Sequence, residues 1–535
     1  MKVLLLDQAT KKVVSMVYSQ TQVLEKEVYL IELLGVRHES MSHLKAAVFV
    51  QPTEANYDLL VRELAEPKYK EYHLFFNNVV PQDMLARLAR LDEQELIMQI
   101  QEYYADYQAI NEDFFHLGID NSLILSSASR TLESGQVFER NVNGILSVLL
   151  SLKKIPSQIR YQSSSELARR LASDVLTNIE KGEPFDFRRQ DGVMLMILDR
   201  RDDPITPLLT QWTYQAMVHE LLGLNNNRVI LRGAPGITKE LEEVVLSATQ
   251  DDFFRRHRFA NFGDLGVAVK QLLDDYQKLT KKNENINSIE DMQSFLERYP
   301  DFRSKSINVS KHVAVISELS RLTDLCQLLD ISEVEQEIAC NNDRSTHKQD
   351  LLGRIRNPKV KMADKVRMSI LYILRYESYD DLREIKQALA EKGVQVASLS
   401  LLDAVLEYAG EAKRAPGLFS QGGIMAKLTK TFNSVGGVQN VYTQHQPVLF
   451  HIMQNILNGK LKDSAFPPLL TAGGSGTNFR PTEVIIFMVG GATFEESTRV
   501  AEFNAANNGI KIMLGGSCVQ NSTSFLKEIG TVFGR

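Results

Sequence analysis

The sequence predicts an α/β protein: two parallel-sheet α/β domains and a largely helical insertion domain that carries a long helical hairpin. Three observations lead there. Strand-like and helix-like segments alternate from the N-terminus to about residue 222. Long helical periodicities with few strands then dominate from about 230 to 460. Beyond Pro467, short strand runs return, each followed by Gly-Gly.

In chain order, Lys2–Leu6, Val28–Leu33, Ala46–Val50 and Tyr72–Phe76 read as strands, and 54–66 and Gln82–Leu91 as helices. This alternation defines a first domain over residues 1–122. A second α/β pattern begins with the apolar, strand-like run 141–152. The helix 164–180, the strand 192–198 and the helix 211–222 follow, giving the first part of domain two over 123–230. Residues 231–462 form the helical domain three. The strands Glu483–Val489 and 511–514 lie in 463–535, which completes the sheet of domain two. In the pairs Gly490-Gly491 and Gly515-Gly516, glycine permits a tight turn and close helix packing.

Two stripes mark a hairpin over about 263–330. Leu265, Val269, Leu272, Tyr276 and Leu279 are spaced 4, 3, 4, 3, and so are Val315, Leu319, Leu322, Cys326 and Leu329. A mean spacing of about 3.5 residues is the period of a coiled-coil seam. The stripes either pack only on each other or leave an edge for a partner helix. Between them Ser288 caps a short helix that Pro300 ends.

At 535 residues the chain has room for three or four domains at roughly 100–200 residues each. A net charge of −6 argues against nucleic acid, which recruits a basic face. The three cysteines, Cys326, Cys340 and Cys518, are widely spaced without a Cys-x-x-Cys, as expected of buried thiols in a reducing compartment. No run approaches the roughly 18 apolar residues of a membrane helix, and the opening Met-Lys-Val-Leu-Leu-Leu stops at Asp7. Membrane contact is therefore expected only through partners.

The motifs of catalysis fail one by one. No P-loop occurs, and the stretch Gly473–Asn478 departs from Gly-x-Gly-x-x-Gly at Phe479. His219-Glu220 lacks the second histidine of a zinc site, where Gly223 stands. Ser475 and Ser517 lack the final glycine of a nucleophile elbow. The acidic segment Asp199-Arg200-Arg201-Asp202-Asp203 leaves two readings open: a capped, charge-paired turn, or a metal-dependent α/β phosphohydrolase using Asp199 and Asp203.

The same segment carries a resemblance. ILDRRDDPITPLLTQWTYQAMVHELLG (197–223), VIIFMVGGATFEESTRV (484–500) and IKIMLGGSCVQNSTSFL (510–526) resemble, in order, three signature blocks of the Sec–Munc (SM) family of syntaxin-binding proteins. SEVEQEIACNND (332–343) and NVYTQHQPVL (440–449) are similar to its vacuolar protein sorting branch, which serves endosomal and trans-Golgi membranes. The resemblance implies a three-domain arch with a discontinuous second domain. It implies a cytoplasmic chaperone, peripherally associated with Golgi and endosomal membranes, with no catalytic activity, cofactor or metal. The implied partners are a syntaxin-like SNARE, its assembled SNARE complex, a vesicle SNARE and tethering factors.

It also implies three contact regions. Leu85, Ile97, Ile100 and Glu102 match a pocket for a syntaxin N-terminal peptide: three apolar walls and one carboxylate suit a hydrophobic anchor beside a basic residue. Asp7, Ser19, Glu32 and Arg37 match syntaxin contacts in the central cleft, with Ser19 where neuronal members carry a basic residue. The stripe residues Leu265, Val269, Leu272, Tyr276, Val315, Leu319 and Leu322, with Pro300 holding the tip bent, match the helical template for a SNARE.

Overall fold

The computed structural model describes residues 1–37, 39–129, 131–182, 184–187, 192–283, 289–419, 442–470 and 479–534, and the side chains of these except 279–304 and 470. Ser288, the stretch 473–478 with Ser475, residues 440–441 and the side chain of Leu279 lie outside the described residues. The chain divides into two compact units. One comprises Met1–Arg200, Ile452–Ala492 and Arg499–Val519; the other comprises Arg201–His451, Thr493–Thr498 and Gln520–Arg535.

The first unit holds two sheets. Strands β1 (Lys2–Leu6), β2 (Val28–Leu33), β3 (Met41–Val50), β4 (Tyr69–Phe76) and β5 (Ile97–Glu102) form a five-stranded parallel sheet in the order β2-β1-β3-β4-β5. Val3, Leu5, Ala46, Val48, Tyr72, Leu74 and Phe76 share one core with Leu60, Leu64, Met84 and Leu88 from the helices Glu54–Ala65 and Gln82–Leu91. Both edge strands carry a bulge. The ladders skip Tyr29 in β2 and Met98 in β5, which are 58% and 53% exposed. Bulges of this kind turn an edge away from unwanted pairing.

The second sheet has seven strands. They are β6 (Gln108–Asn111), β7 (Phe114–His116), β8 (Gln158–Tyr161), β9 (Val193–Asp199), β12 (Pro468–Leu470), β13 (Glu483–Val489) and β14 (Lys511–Gly516), in the order β12-β8-β9-β13-β14-β7-β6. The interior pairs are parallel, and β12 and β6 add antiparallel edges. Every residue of β9 is buried, as expected of a central strand covered on both faces. Gly515 lies inside β14, not in a turn; a Cβ there would meet Phe115 of β7 at 2.1 Å, so the ring requires glycine.

Three expectations need correction here. The run 141–152 is not a strand but the buried half of the helix Leu132–Leu152, whose start is fixed by the Thr131–Ser134 capping box. Periodicity alone does not separate a buried helix from a buried strand; length does. The C-terminal strands do pair with β9, yet the sheet also takes in β6 and β7. The division between the sheets therefore falls after β5 and before 122. Finally, the C-terminal helix Ser522–Phe533 belongs to the other unit.

That second unit is mainly helical, with one small antiparallel pair, β10 (Arg228–Ile230) and β11 (Glu243–Val245). The helices Phe262–Asn283 and Ile289–Leu325 pack against each other. Pro300 does not end a short helix: the second of these runs through it without interruption. The stripe ends earlier than its spacing implies, because Gln327 adopts φ 53° and starts a new helix at Leu328. Among the described residues no helix is long and apolar enough to cross a membrane.

Candidate functional site

Three predicted residues share one face of β5, and Leu85 packs against the same core as one of them. Ile97 and Ile100 are three apart, so a regular strand would turn them to opposite faces. The bulge at Met98 changes this: Ile97, Ile100 and Glu102 stand opposite Tyr72, Leu74 and Phe76, all on the face that carries the core. The helix Gln82–Leu91 covers that face with Met84 and Leu88. Leu85, half-buried beside them, packs at the margin of the same cluster as Ile97. Ile100 is 39% exposed at the open edge.

Two side chains that the sequence reading missed hold this geometry. Asp92 caps the helix end and takes the Leu96 N–H at 2.7 Å and the Ile97 N–H at 3.0 Å, so one carboxylate joins the helix to β5. An Asp directly after a helical run, before a short polar turn, is the signal that marks such a residue. Arg87 grips Glu54 with two hydrogen bonds of 2.9 and 2.6 Å and lies 4.2 Å over the Tyr57 ring, bracing the two covering helices. The hydrogen bond from Arg87 lowers the Glu54 pKa. Glu102 accepts the Val80 N–H at 2.7 Å and the Tyr104 hydroxyl at 3.0 Å. Burial, and then Glu102, push the Tyr104 phenol up to about 12. The result is an apolar step ending in a fixed, partly exposed carboxylate.

The four cleft residues are not gathered into one pocket. Asp7 caps the helix Gln8–Val17; its two oxygens accept Thr10 N–H (2.7 Å), Thr10 Oγ1 (2.9 Å), Gln51 N–H (2.7 Å) and Asn56 Nδ2 (2.6 Å). A carboxylate has about four acceptor positions, so Asp7 is fully engaged inside the fold. Ser19 lies beyond the other end of that ten-residue helix, about 15 Å away, and caps the next helix through Gln22. Glu32 stands opposite Leu5 on β2, and Arg37 is exposed in the loop after it. Strand β2 is four strand spacings from β5, about 19 Å.

The stripe residues divide. Leu265, Val315 and Leu319 are completely buried and serve the core of their own unit. Val269, Leu272 and Tyr276 are half-buried, and Leu322 lines a groove described below. His312, on the same helix as Val315, anchors it: Nδ1 lies 2.9 Å from the Tyr214 hydroxyl and Nε2 2.8 Å from Asp251, which also pairs with Lys311.

The acidic segment is occupied by structural work. Asp199 accepts the Ser165 hydroxyl at 2.6 Å. Asp203 accepts Thr206 N–H and Oγ1 and the Val448 N–H. Arg200 is fully buried and donates to the Gly491 carbonyl at 3.0 Å. Among the described residues no cluster suited to a metal ion occurs. The other signature blocks also act as caps: Thr493 and Glu496 bond reciprocally, and Asn521 caps the last helix while donating to the His219 carbonyl.

Known proteins are similar to this chain over nearly its whole length. A family model described as the Sec1 family matches residues 2–528. The chain is 45% identical over 535 residues to vacuolar protein sorting-associated protein 45 of Homo sapiens, covering 99% of this chain and 92% of that protein. To the protein of that name from Dictyostelium discoideum it is 42% identical over 534 residues, covering 99% and 93%. The solved structure of the SM protein Vps45 in complex with the Qa SNARE Tlg2 matches with a TM-score of 0.92 at 43% identity, covering 100% of this chain and 95% of that one. The Unc18–syntaxin 1 complex from Monosiga brevicollis, at 17% identity and a TM-score of 0.79, shares the fold.

Proposed function

This chain belongs to the Sec1 family, and on that premise we propose that it is an SM-type chaperone, not an enzyme. It binds a syntaxin-like SNARE and promotes SNARE complex assembly for vesicle fusion in endosomal, trans-Golgi and vacuolar transport. It works in the cytoplasm, at the surface of Golgi and endosomal membranes that it reaches through its partners. The solved relative bound to a Qa SNARE, at 43% identity over the whole chain, supports the partner class.

The observation that supports the reading is that Ile97, Ile100 and Glu102 share one face of β5 while Leu85 packs against the same core as Ile97. An apolar step ending in a carboxylate receives a peptide with a hydrophobic anchor next to a basic residue. We assign it to the N-terminal peptide of the syntaxin-like SNARE. Asp7, Ser19, Glu32 and Arg37 are then separate points of a broad SNARE contact, with Asp7 acting through the backbone it fixes. Val269, Leu272 and Tyr276 are the stripe residues left to meet a SNARE helix. The phosphohydrolase reading is dropped, because Asp199 and Asp203 are committed to hydroxyl and backbone donors.

The test is calorimetric titration of the cytosolic part of an endosomal syntaxin, with and without its N-terminal peptide, followed by a liposome fusion assay. Peptide-dependent binding and faster fusion are expected. A chain that neither binds any endosomal or trans-Golgi syntaxin nor changes fusion would overturn the proposal.

A further inference from the structure

The second unit contains a groove of about 570 Å³ at the C-terminal end of the helix Ile289–Leu325. Leu221, Leu322, Leu328, Val394, Leu401 and Leu526 give it apolar walls. Its charged lining is Glu220, Asp364, Arg367 and the exposed Lys361. Arg367 is already paired, 2.7 Å from the fully buried Glu335 and 2.9 Å from Asp364. Glu220 accepts from the Ser522 N–H at 3.1 Å and from its hydroxyl. Three carboxylates therefore face one buried guanidinium, and Lys361 is the other cation in the lining.

Arg367 is shared by Glu335 and Asp364, whereas among the described residues Glu220 has hydrogen bonds from Ser522 and no ion pair. Burial raises Glu220 above the usual carboxylate range, and Arg367 and Ser522 reverse this only in part. Burial likewise pushes Glu335 up to about 7. The surroundings add a second signal. Leu325 (58% exposed), Leu329 (41%), Met362 (46%) and Val396 (81%) come from four different helices, and each either lines the groove or adjoins a residue that does. Met362 adds exposed apolar surface to the groove itself, the other three being sequence neighbours of its lining residues, and exposed apolar surface at a concave site marks protein contact.

We propose that this groove is a docking site for a segment of a partner protein that inserts one arginine or lysine between apolar residues. The inserted cation meets Glu220 and Asp364, and its apolar neighbours cover the rim. An acidic or purely apolar segment is refused, because closing the groove over Glu220, which Ser522 alone bonds among the described residues, carries the cost of a buried unpaired charge.

The probe is a short fluorescein-labelled helical peptide with one central arginine and leucines one turn to either side, titrated into the full chain by fluorescence anisotropy. Saturable binding is expected, weakened about tenfold or more when citrulline replaces the arginine. Glu220→Gln should weaken it about tenfold. Its folding is checked by circular dichroism and a thermal melt. The doubly exposed variant Met362→Ser/Val396→Ser, which cannot disturb the core, should weaken it about fivefold. Equal binding of the arginine and citrulline peptides, or no binding of either, overturns the proposal. So does full competition by spermidine, which would leave a cation site without a protein partner, and so does unchanged affinity in the rim variant.

Discussion

Glu102 and Val80 are tied together at the candidate peptide site: one carboxylate oxygen of Glu102 takes the Val80 N–H at 2.7 Å, and the other takes the Tyr104 hydroxyl. Two of about four acceptor positions are thus filled and two remain for a ligand. Glu102→Gln keeps the size and one strong acceptor but removes the charge. Affinity for a syntaxin N-terminal peptide should fall about tenfold, and its salt dependence should flatten. Calorimetry at two ionic strengths checks this; unaltered salt dependence would place the basic residue of the peptide elsewhere.

Leu85 stands half-buried at the margin of the core, with Met84 and Leu88 carrying the packing below it. Leu85→Arg should therefore leave the fold intact and block an apolar anchor. The expected loss is about 2 kcal/mol or more, roughly thirtyfold in affinity. Peptide titration against a variant of unchanged melting temperature measures it. Equal affinity would mean that the anchor docks away from this helix.

Pro300 lies inside a continuous helix, where it supplies no N–H to the ladder. Pro300→Ala should not lengthen the helix. It should strengthen it, by up to about 3 kcal/mol locally. Hydrogen exchange is the measurement: amides in the turn around residue 300 should gain protection, while those of Val315 and Leu319 stay as they are. Slower exchange spreading only to residues after 304 would instead support a broken helix that grows backwards.

Asp251 and His312 give the second unit a defined pH response. Burial works to raise Asp251, but His312 and Lys311 together hold its carboxyl well below the usual range. Its contribution is therefore present above its ordinary value of 3.8 and is lost as pH falls further. Burial lowers His312 from 6.5, with Lys311 and His257 acting the same way and Asp251 opposing. A histidine kept neutral also loses stability as pH falls below 6.5. Denaturant melts should thus weaken from about pH 6.5 downward and more steeply below 4. Asp251→Asn should cost about 3 kcal/mol at pH 7, since it removes the buried carboxylate that pairs with the half-buried Lys311. A variant as stable as the parent at pH 7 would remove Asp251 from this role.

Elements with a clear period were legible in the sequence. Strands Lys2–Leu6, Val28–Leu33 and Glu483–Val489 and the helix Gln82–Leu91 have the bounds that their patterns give. What escaped depends on partners far away in the chain. Asp7 looks like an available charge until Gln51 and Asn56 fold onto it. The short strands β6 and β7 acquire their place only by pairing beside β14, about 400 residues later. The run 141–152 is buried around most of its circumference, including Asn141 and Ser147, so its environment, not its pattern, selects a helix. The gathering of Ile97 and Ile100 on one face was equally hidden, because it rests on a bulge.

Met98 is the residue that the β5 ladder skips. Taking it out would leave Ile97, Gln99, Ile100, Gln101 and Glu102 opposite the same partners in β4, in an unbroken register. Taking out Gln101 instead would bring Glu102 opposite Phe75 and turn it to the far side of the sheet. The edge therefore tolerates the loss of one residue between Ile97 and Ile100, where the bulge simply closes, and not after Ile100. What a ligand meets there is decided by counting residues odd or even, as much as by which residues they are.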